Sequence, residues 1–377
     1  MKKKKPEIRF NGFEGEWEKD NAVYIFETYY DKNHPNLPVL SASQELGMVI
    51  RDNVGFQVQH NKENEVGYKR VLPGQFVIHL RSFQGGFAHS MVEGITSPAY
   101  TVMQFKKSSK QDDIYWKYVL TSKTFIKRLE TVTYGIRDGR SISFEDFSEL
   151  NFTFPTISEQ EKIGLFLTTL DKLIAKLEAK LDKLRKLKQA LLEKMFVNVN
   201  GGGKTPEIRF KGYTDKWEVK ELREVLITHP YKKHIGIIAN PARYPIIQQG
   251  NNPIMGLGSG LPYLDFKDKI IWGDHTTSVY RPTEPFLVAT DGIRILSIRN
   301  MNQMFLWNLI LYIKPIPKSY TRHFSMLVEK AISIPSIEEQ DKIGLSLTTL
   351  ENILSKTSTK LTKLRNIKQS LLQKMFA

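Results

Sequence analysis

Cysteine is absent from this chain of 377 residues, and long apolar runs are absent too. Without cysteine the protein can form neither a disulfide nor a thiolate metal site, which fits a reducing compartment. No apolar stretch reaches the roughly 20 residues that a membrane-spanning helix needs. The basic residues 1–6 (MKKKKP) are not followed by the apolar core of a signal peptide. We therefore predict a cytoplasmic protein with no membrane partner.

Acidic residues are fewer than basic ones: 40 Asp and Glu stand against 55 Lys and Arg, a formal net charge of +15. Such an excess attracts polyanions, and nucleic acid is the leading candidate, with solubility alone as the plainer explanation. Hydrophobic residues make up 41% of the chain and aromatic residues 11%. That content is enough for sizeable cores, and the length suits two or three domains.

The chain contains a long internal repeat. Residues 154–196 and 334–376 are identical at 25 of 43 aligned positions. A shorter repeat opens each half, because residues 6–18 and 206–218 share Pro-Glu-Ile-Arg-Phe and a following Trp-Glu. Residues 19–153 and 219–333 show no convincing alignment with each other. One scaffold that carries two divergent inserts indicates one geometry with two different specificities.

Each long repeat is predicted to form one helix of about 39 residues, roughly 58 Å long. Thr156 with Glu159, and Ser336 with Glu339, have capping-box spacing. Apolar residues then recur every three or four positions, so the two helices are expected to pair as in a coiled coil. The expected helix-interface positions are Leu170, Leu177, Leu184, Leu191, Leu350, Leu361, Leu364 and Leu371, with Leu173, Leu187, Ile353 and Ile367 on the same stripe.

The charged helix positions Lys183, Arg185, Lys186 and Lys188 are interpreted as solvated surface, with phosphate contact as the alternative. Three glycines and a proline between the halves end the first helix and form a linker. The predicted fold class is α+β or mixed: two globular α/β domains separated by two long antiparallel, coiled-coil-like helices, with a pseudo-twofold internal repeat. The predicted segments are domain 1 at 1–153, helix 1 at 154–198, the linker at 199–206, domain 2 at 207–333 and helix 2 at 334–377.

Both globular blocks read as mixed α/β with many loops. The predicted strands are 71–80, 99–105, 141–144, 244–248, 269–272, 285–290 and 293–298, and the predicted helices are 115–129 and 305–313. Polar residues concentrate between them, and arginine can pair with a guanine edge while asparagine or glutamine can pair with an adenine edge. The candidate DNA-binding residues are Arg81, Gln84, His89, Tyr134, Arg137, Arg140, Gln248, Gln249, Asn251, Asn252, His275, Thr276, Arg281, Arg322 and His323. A phosphate contact or a turn is the alternative role for each of them.

Each segment that resembles a catalytic motif lacks residues that the motif requires. Gly203-Lys204-Thr205 lacks the earlier glycine of a phosphate-binding loop, and Pro206 stands where its helix would begin. The segment 252–255 (NPIM) lacks the second proline and the aromatic residue of an adenine methyltransferase motif. Asp274-His275 has no histidine or glutamate at metal-ligand spacing. We expect no catalytic residue, no metal site and no cofactor bound by this chain.

Taken together, these features resemble the specificity subunits of type I restriction–modification enzymes. The resemblance rests on Pro155 with Glu159-Gln160, and on Pro335 with Glu339-Gln340. The Lys-Ile-Gly-Leu segments, the Lys-Gln-x-Leu-Leu-x-Lys-Met-Phe ends and the repeated opener also fit. It covers the whole chain.

The resemblance implies a non-catalytic subunit whose two target-recognition domains each recognise one half of a bipartite site in double-stranded DNA. It implies two methyltransferase subunits docked on the helices, and motor–nuclease subunits joined through the complex. S-adenosylmethionine, ATP and magnesium are then expected on those partners. Two alternatives stay open at this point: a self-sufficient DNA methyltransferase or nuclease, and a structural coiled-coil scaffold.

Overall fold

The computed structural model describes residues 5–43, 45–54, 62–132, 142–197, 199, 203, 205–289, 292–317 and 323–376. The chain divides into two units. Unit 1 consists of Met1–Leu177 with Lys360–Ala377, and unit 2 consists of Glu178–Thr359. Each unit therefore contains one globular block and a part of each long repeat.

Unit 1 has ten short strands and five short helices among its described residues. The strands are β1 (Glu18–Asn21), β2 (Phe26–Tyr29), β3 (Leu40–Ser43), β4 (Gly47–Ile50), β5 (Lys69–Val71), β6 (Phe76–Ile78), β7 (Ala88–His89), β8 (Gly94–Thr96), β9 (Thr101–Phe105) and β10 (Asn151–Phe154). The short helices are α1 (Ala22–Ile25), α2 (Ser82–Gly85), α3 (Asp113–Leu120), α4 (Lys123–Val132) and α5 (Phe144–Ser148).

The centre of unit 1 is a four-stranded antiparallel sheet in the order β2-β9-β6-β7. Aromatic side chains fill the space between this sheet and the helices. Trp116 of α3 is fully buried and meets Phe26 of β2 edge to face, with ring centroids 5.1 Å apart. Phe147 of α5 packs on Phe26 from another direction. Such rings bury large areas, so they dominate the energetics of this core.

Unit 2 also has ten strands among its described residues, with three shorter helices. Its strands are β11 (Glu218–Glu221), β12 (Leu226–His229), β13 (Ile237–Ile238), β14 (Tyr244–Ile247), β15 (Ile254–Ser259), β16 (Ile270–Gly273), β17 (Val279–Tyr280), β18 (Leu287–Val288), β19 (Ile293–Ile298) and β20 (Ala331–Ile334). Its short helices are α7 (Leu222–Val225), α8 (Gln303–Ile313) and α9 (Phe324–Val328).

Two four-stranded sheets form the body of unit 2, in the orders β12-β19-β16-β17 and β13-β15-β14-β18. One core lies between α8 and the first sheet and includes Phe305, Leu306 and Trp272. A second core lies around Ile247, Phe286 and Ile295. The aliphatic runs at 270–273 and 293–298 are buried almost throughout, as expected for central strands.

The two globular blocks share one plan, although their sequences do not align. The first strand of each block pairs antiparallel with its last strand, with Glu18 opposite Phe154 and Glu218 opposite Ile334. A one-turn helix follows each first strand, and the sheets β2-β9-β6-β7 and β12-β19-β16-β17 have the same order. The two globular blocks therefore repeat the same order of strands, even though their sequences differ.

The long repeats form single helices, as predicted. Helix α6 runs over Ile157–Met195, with 39 residues, and α10 runs over Ile337–Lys374, with 38. The first part of α6 and the last part of α10 belong to unit 1, and the remaining parts belong to unit 2. The mixed α/β fold class with two long helices is thus confirmed.

Some local predictions were wrong. The predicted strand at 141–144 is not formed in its described part, because Ser143 caps helix α5 through a capping box with Asp146. The single helix predicted over 115–129 is two helices, separated at Thr121 and Ser122. The run 71–80 is two strands, because Pro73-Gly74 lies in a turn where Gly74 has a φ of 84°.

Candidate nucleic-acid interface and its frame

An ion pair holds the opener of unit 1, the short repeat at residues 6–18, against helix α6. The opener of unit 2 is the matching repeat at residues 206–218. Arg9 donates from Nε and Nη2 to the two carboxylate oxygens of Glu159, each at 2.7 Å. The Glu159 side chain is fully buried. This hydrogen bonding raises the pKa of Arg9 above its ordinary value. A bidentate pair fixes orientation as well as distance, so the opener is held in one position on α6.

Unit 2 repeats the same ion pair. Arg209 donates from Nε and Nη2 to the two oxygens of Glu339, at 2.7 and 2.8 Å. Trp217 Nε1 adds a third bond to this carboxylate, at 3.1 Å. The capping-box role predicted for Glu159 and Glu339 is therefore wrong for their side chains, because both carboxylates bind the arginine of the opener.

The glutamine after each of these glutamates joins a helix of the globular domain to the frame. The frame consists of the two openers and the two long helices. Gln160 Nε2 donates to the carbonyl of Pro155, and its Oε1 accepts the backbone N–H of Asp112, which caps α3. Gln340 makes the same two contacts, with the carbonyl of Pro335 and the N–H of Asn302, which caps α8. The shared Pro-x-x-x-Glu-Gln segment is thus a structural joint.

The shared glycine of Lys-Ile-Gly-Leu allows these domain helices to approach. A Cβ on Gly164 would lie 3.1 Å from the backbone nitrogen of Tyr115 in α3. A Cβ on Gly344 would lie 2.9 Å from the backbone nitrogen of Phe305 in α8. A larger residue at either position would push the domain helix away from the long helix.

The openers also contact the end of the other long helix within each unit. The N–H groups of Glu7 and Ile8 donate to the carbonyl of Lys374, and the N–H of Ile208 donates to that of Lys194. In each unit the start of one long helix and the end of the other therefore meet at the opener. The helix segments run antiparallel there.

The helix-interface residues divide into three groups. Leu170, Leu350 and Leu361 are buried, at 8, 8 and 5% exposure, and Leu177, Leu184, Leu191, Leu364 and Leu371 are half-buried. The expectation for the rest of the stripe was wrong, since Leu173, Leu187, Ile353 and Ile367 are 41–49% exposed. Lys188 is not simply solvated either, because it forms an ion pair with Glu351 and lies over the Trp307 ring.

In unit 2 the candidate DNA-binding residues of two loops come together. Gln248, Gln249, Asn251 and Asn252 lie in the hairpin loop between β14 and β15, and His275 and Thr276 lie in the turn after β16. Gln249 Oε1 accepts the N–H of His275 at 3.1 Å. Gln248 Nε2 donates to the carbonyl of Asn252 at 2.9 Å.

Ser278 braces the two loops further, because its hydroxyl accepts the N–H of Gly250 at 2.9 Å and lies 2.8 Å from Thr276 Oγ1. Gly273 leaves the room for this arrangement, since a Cβ there would lie 2.4 Å from the Ser278 hydroxyl. Asn251, Asn252 and Thr276 are exposed at this surface. The result is a rigidly held polar surface of the kind that can present amides to base edges.

Other candidates in unit 2 have internal positions. His323 is fully buried beside the backbone of Asp274, with Nδ1 at 3.2 Å from that carbonyl. Arg281 lies over the ring of Trp307 and 3.4 Å from the Thr348 hydroxyl of α10. Burial lowers the pKa of Arg281. We revise both assignments: His323 and Arg281 connect elements of unit 2 and do not form part of the loop surface.

In unit 1 some candidate DNA-binding residues are exposed and others are buried, as in unit 2. Arg81 and Gln84 are exposed on and beside the short helix α2. His89 is 2% exposed, lies against the Phe76 ring and has Nε2 2.6 Å from Asp113 Oδ2. Its bond lowers the pKa of Asp113. His89 is therefore revised to a core residue. Tyr134, Arg137, Arg140 and Arg322 lie outside the described residues.

The described residues contain no group of three or more His, Asp or Glu side chains that could hold a metal ion. Within the same residues, no helix has both the length and the apolar character to cross a bilayer.

The chain thus combines a duplicated frame with two domains of unlike sequence, and one of these domains carries a braced loop surface rich in amides. Residues 23–186 and 214–366 match the family described as the type I restriction modification DNA specificity domain. The chain belongs to this family. The family is described by its role in DNA specificity, and neither the self-sufficient enzyme nor the structural scaffold is supported by the comparisons.

Known proteins agree with this assignment. The type I restriction enzyme MjaVIII specificity subunit of Methanocaldococcus jannaschii is 27% identical over 137 residues, 36% of this chain and 31% of that protein. The chain therefore aligns with less than a third of the length of that relative.

Among solved structures, the S subunit of a type I restriction-modification system from M. genitalium has a TM-score of 0.66 at 16% identity, with 99% of both chains covered. A chain from a study of complex assembly and conformational transition in the type I R-M system has a TM-score of 0.50 at 13% identity, with 96% and 97% covered. These likenesses show a shared fold.

Proposed function

We propose that this chain is the non-catalytic specificity subunit of a type I DNA adenine methyltransferase and restriction complex in the cytoplasm. Each globular domain recognises one half of a bipartite site in double-stranded DNA. The observation that carries the proposal is the duplication of the frame, in which Arg9–Glu159 and Arg209–Glu339 hold two domains of unlike sequence in the same way.

The two long helices set the spacer between the half-sites. Each helix supplies residues to both units, so a change in helix length changes the path between the two domains. Half-sites recognised from one face of DNA must keep a fixed phase on the duplex, and a continuous helix is stiff enough to impose it.

Methyltransferase subunits dock on the exposed faces of these helices. Leu165 and Leu345 are 69% and 59% exposed, and they occupy equivalent positions of the repeat. Leu173 corresponds in the same way to Ile353, and Leu187 to Ile367. Exposed apolar side chains at matched positions offer two copies of one surface, which suits two copies of one partner.

The chemistry belongs to the partners. The methyltransferase subunits bind S-adenosylmethionine and extrude the target adenine from the duplex. The motor–nuclease subunits use ATP and magnesium. The specificity subunit contributes position, since base contacts select the site and phosphate contacts fix the register.

Sequencing of methylated adenines in cells with and without this chain, with the methyltransferase present in both, tests the proposal. Methylation at one bipartite motif that depends on the chain is expected. Methylation that is unchanged without the chain, or that follows one continuous motif, would contradict it.

A further inference from the structure

One surface of unit 2 exposes several large apolar side chains. On β13, Ile237 is 72% exposed, and it shares a face of the sheet with Leu257, because it pairs with Ser259 and side chains alternate along a strand. The paired strand β15 adds Ile254, Met255 and Leu257 at 49, 42 and 53%. Contiguous exposed apolar patches of this kind usually mark a binding surface.

The stretch of sequence that contains this patch carries charged side chains of one sign. Residues 225–264 contain no Asp or Glu, and they include Lys232, Lys233 and Arg243. A polyanion repels carboxylates, so their absence favours contact with DNA. A surface that binds a protein partner of mixed charge can contain acidic residues. The absence of acidic residues over 40 positions therefore favours DNA over such a partner.

The apolar patch continues directly from the candidate DNA-binding loop. Ile254 opens β15 opposite Ile247 and follows Asn252 by two residues. At about 3.3 Å per residue, Ile254 lies within roughly 7 Å of Asn252 along the strand. The hairpin therefore presents amides at its tip and apolar side chains immediately behind the tip.

This combination matches one base pair in the major groove. Asparagine and glutamine pair with the adenine edge, while the thymine of the same pair presents a 5-methyl group to apolar contacts. The major groove is also wide enough for a two-stranded ribbon. We propose that the β14–β15 hairpin recognises A·T pairs, with the loop amides on adenine and Ile254, Met255 and Leu257 on thymine methyl groups. The inference rests on the proposed function and specifies the base pairs that unit 2 selects.

Uracil substitution provides the test, because it removes only the methyl group and preserves base pairing. The full chain with its methyltransferase is titrated with duplexes in which each thymine of the unit 2 half-site is replaced by uracil in turn. Loss of one buried methyl contact is expected to weaken binding about fourfold at one or more positions. Uracil in the other half-site is the internal control and should have no effect through this hairpin.

A triple variant, with Ile254→Ala, Met255→Ala and Leu257→Ala, should bind thymine duplexes more weakly and no longer distinguish uracil. Ile316→Ala is the matched control, since Ile316 is 81% exposed elsewhere in unit 2. Wild-type binding that ignores uracil throughout the half-site would overturn the inference alone. The inference would also be overturned if the triple variant kept its sensitivity to uracil. It would be overturned as well if the triple variant failed to bind the methyltransferase in the absence of DNA, because the patch would then be a protein-binding surface. Absence of any sequence preference would overturn the proposed function as well.

Discussion

Lys188 of α6 forms an ion pair with Glu351 of α10, and Lys368 of α10 forms the equivalent pair with Asp171 of α6. Each lysine and each carboxylate occurs at the same position of the long repeat. One pair belongs to unit 2 and the other to unit 1. The repeat therefore duplicates contacts between the helices as well as sequence, and each frame variant has a matched counterpart in the other half.

The buried ion pair of the frame should be essential for the stability of unit 2. Glu339→Gln removes the charge that faces Arg209, whose side chain is 14% exposed. Leaving one member of a buried pair uncompensated costs about 3–5 kcal/mol. Urea unfolding followed by circular dichroism measures the loss. Glu338→Gln, at the exposed neighbouring position, should change the free energy of unfolding by less than about 0.5 kcal/mol. Equal effects of the two variants would contradict the role of the pair.

Acid should weaken unit 1 through Asp113. The hydrogen bond with His89 lowers the pKa of Asp113 below its ordinary value of 3.8. A lowered folded-state pKa contributes stability above the unfolded-state pKa, and that stability is lost as the pH falls through the folded-state pKa. The free energy of unfolding should therefore decrease as the pH falls below about 4, and the Asp113→Asn variant should lack this component. Parallel pH profiles for the two proteins would exclude it.

Exchange of residues 207–333 for another target-recognition domain should change one half-site only. The joints at Gln340 and Gly344 lie in the frame, so an incoming domain can use the same contacts. Sequencing of methylated adenines before and after the exchange reads both halves of the site. A change in both halves would show that the domains do not recognise DNA independently.

Methyltransferase docking should depend on the exposed leucines of the long helices. Leu165→Ala with Leu345→Ala removes one apolar side chain from each copy of the surface and leaves the buried stripe intact. Interface hot spots cost about 2 kcal/mol or more on truncation, so each site should lose roughly thirtyfold in affinity. Leu46→Ala, which removes a side chain that is 67% exposed on unit 1, is the control. Titration calorimetry with purified methyltransferase distinguishes them, and unaltered affinity in the double variant would place docking elsewhere.

The sequence predicts the frame far better than it predicts the contacts. Repetition and apolar spacing place both long helices, because helix periodicity is a local property. The partner of Glu159 lies 150 residues away at Arg9, and no local pattern indicates that pair. The nearby Thr156 suggests a capping box in its place. A repeated arginine and a repeated glutamate in both halves were the available signal for the ion pair.

Burial explains the other failures. His89 and His323 resemble loop residues in sequence, yet tertiary packing encloses both. The apolar spacing of α6 predicts a stripe but not its width, so Leu173 and Leu187 fall outside the packed part. Composition alone suggests Gln249 and His275 as loop residues, and the bond that joins the two loops is visible only in three dimensions.

The length of the two long helices should set the spacer between the half-sites. Insertion of four residues after Leu177 and after Thr359, at the boundaries between the units, adds about 6 Å of helix and about 40° of rotation. Because one base pair of B-DNA spans about 3.4 Å, the preferred spacer should grow by about two base pairs while both half-sites keep their sequence. Sequencing of methylated adenines measures the spacer directly. Insertion into α6 alone is the control. It should misalign the pairs Lys188–Glu351 and Lys368–Asp171 and therefore reduce methylation. A double insertion that methylates at the original spacing would refute the proposal that helix length sets the distance.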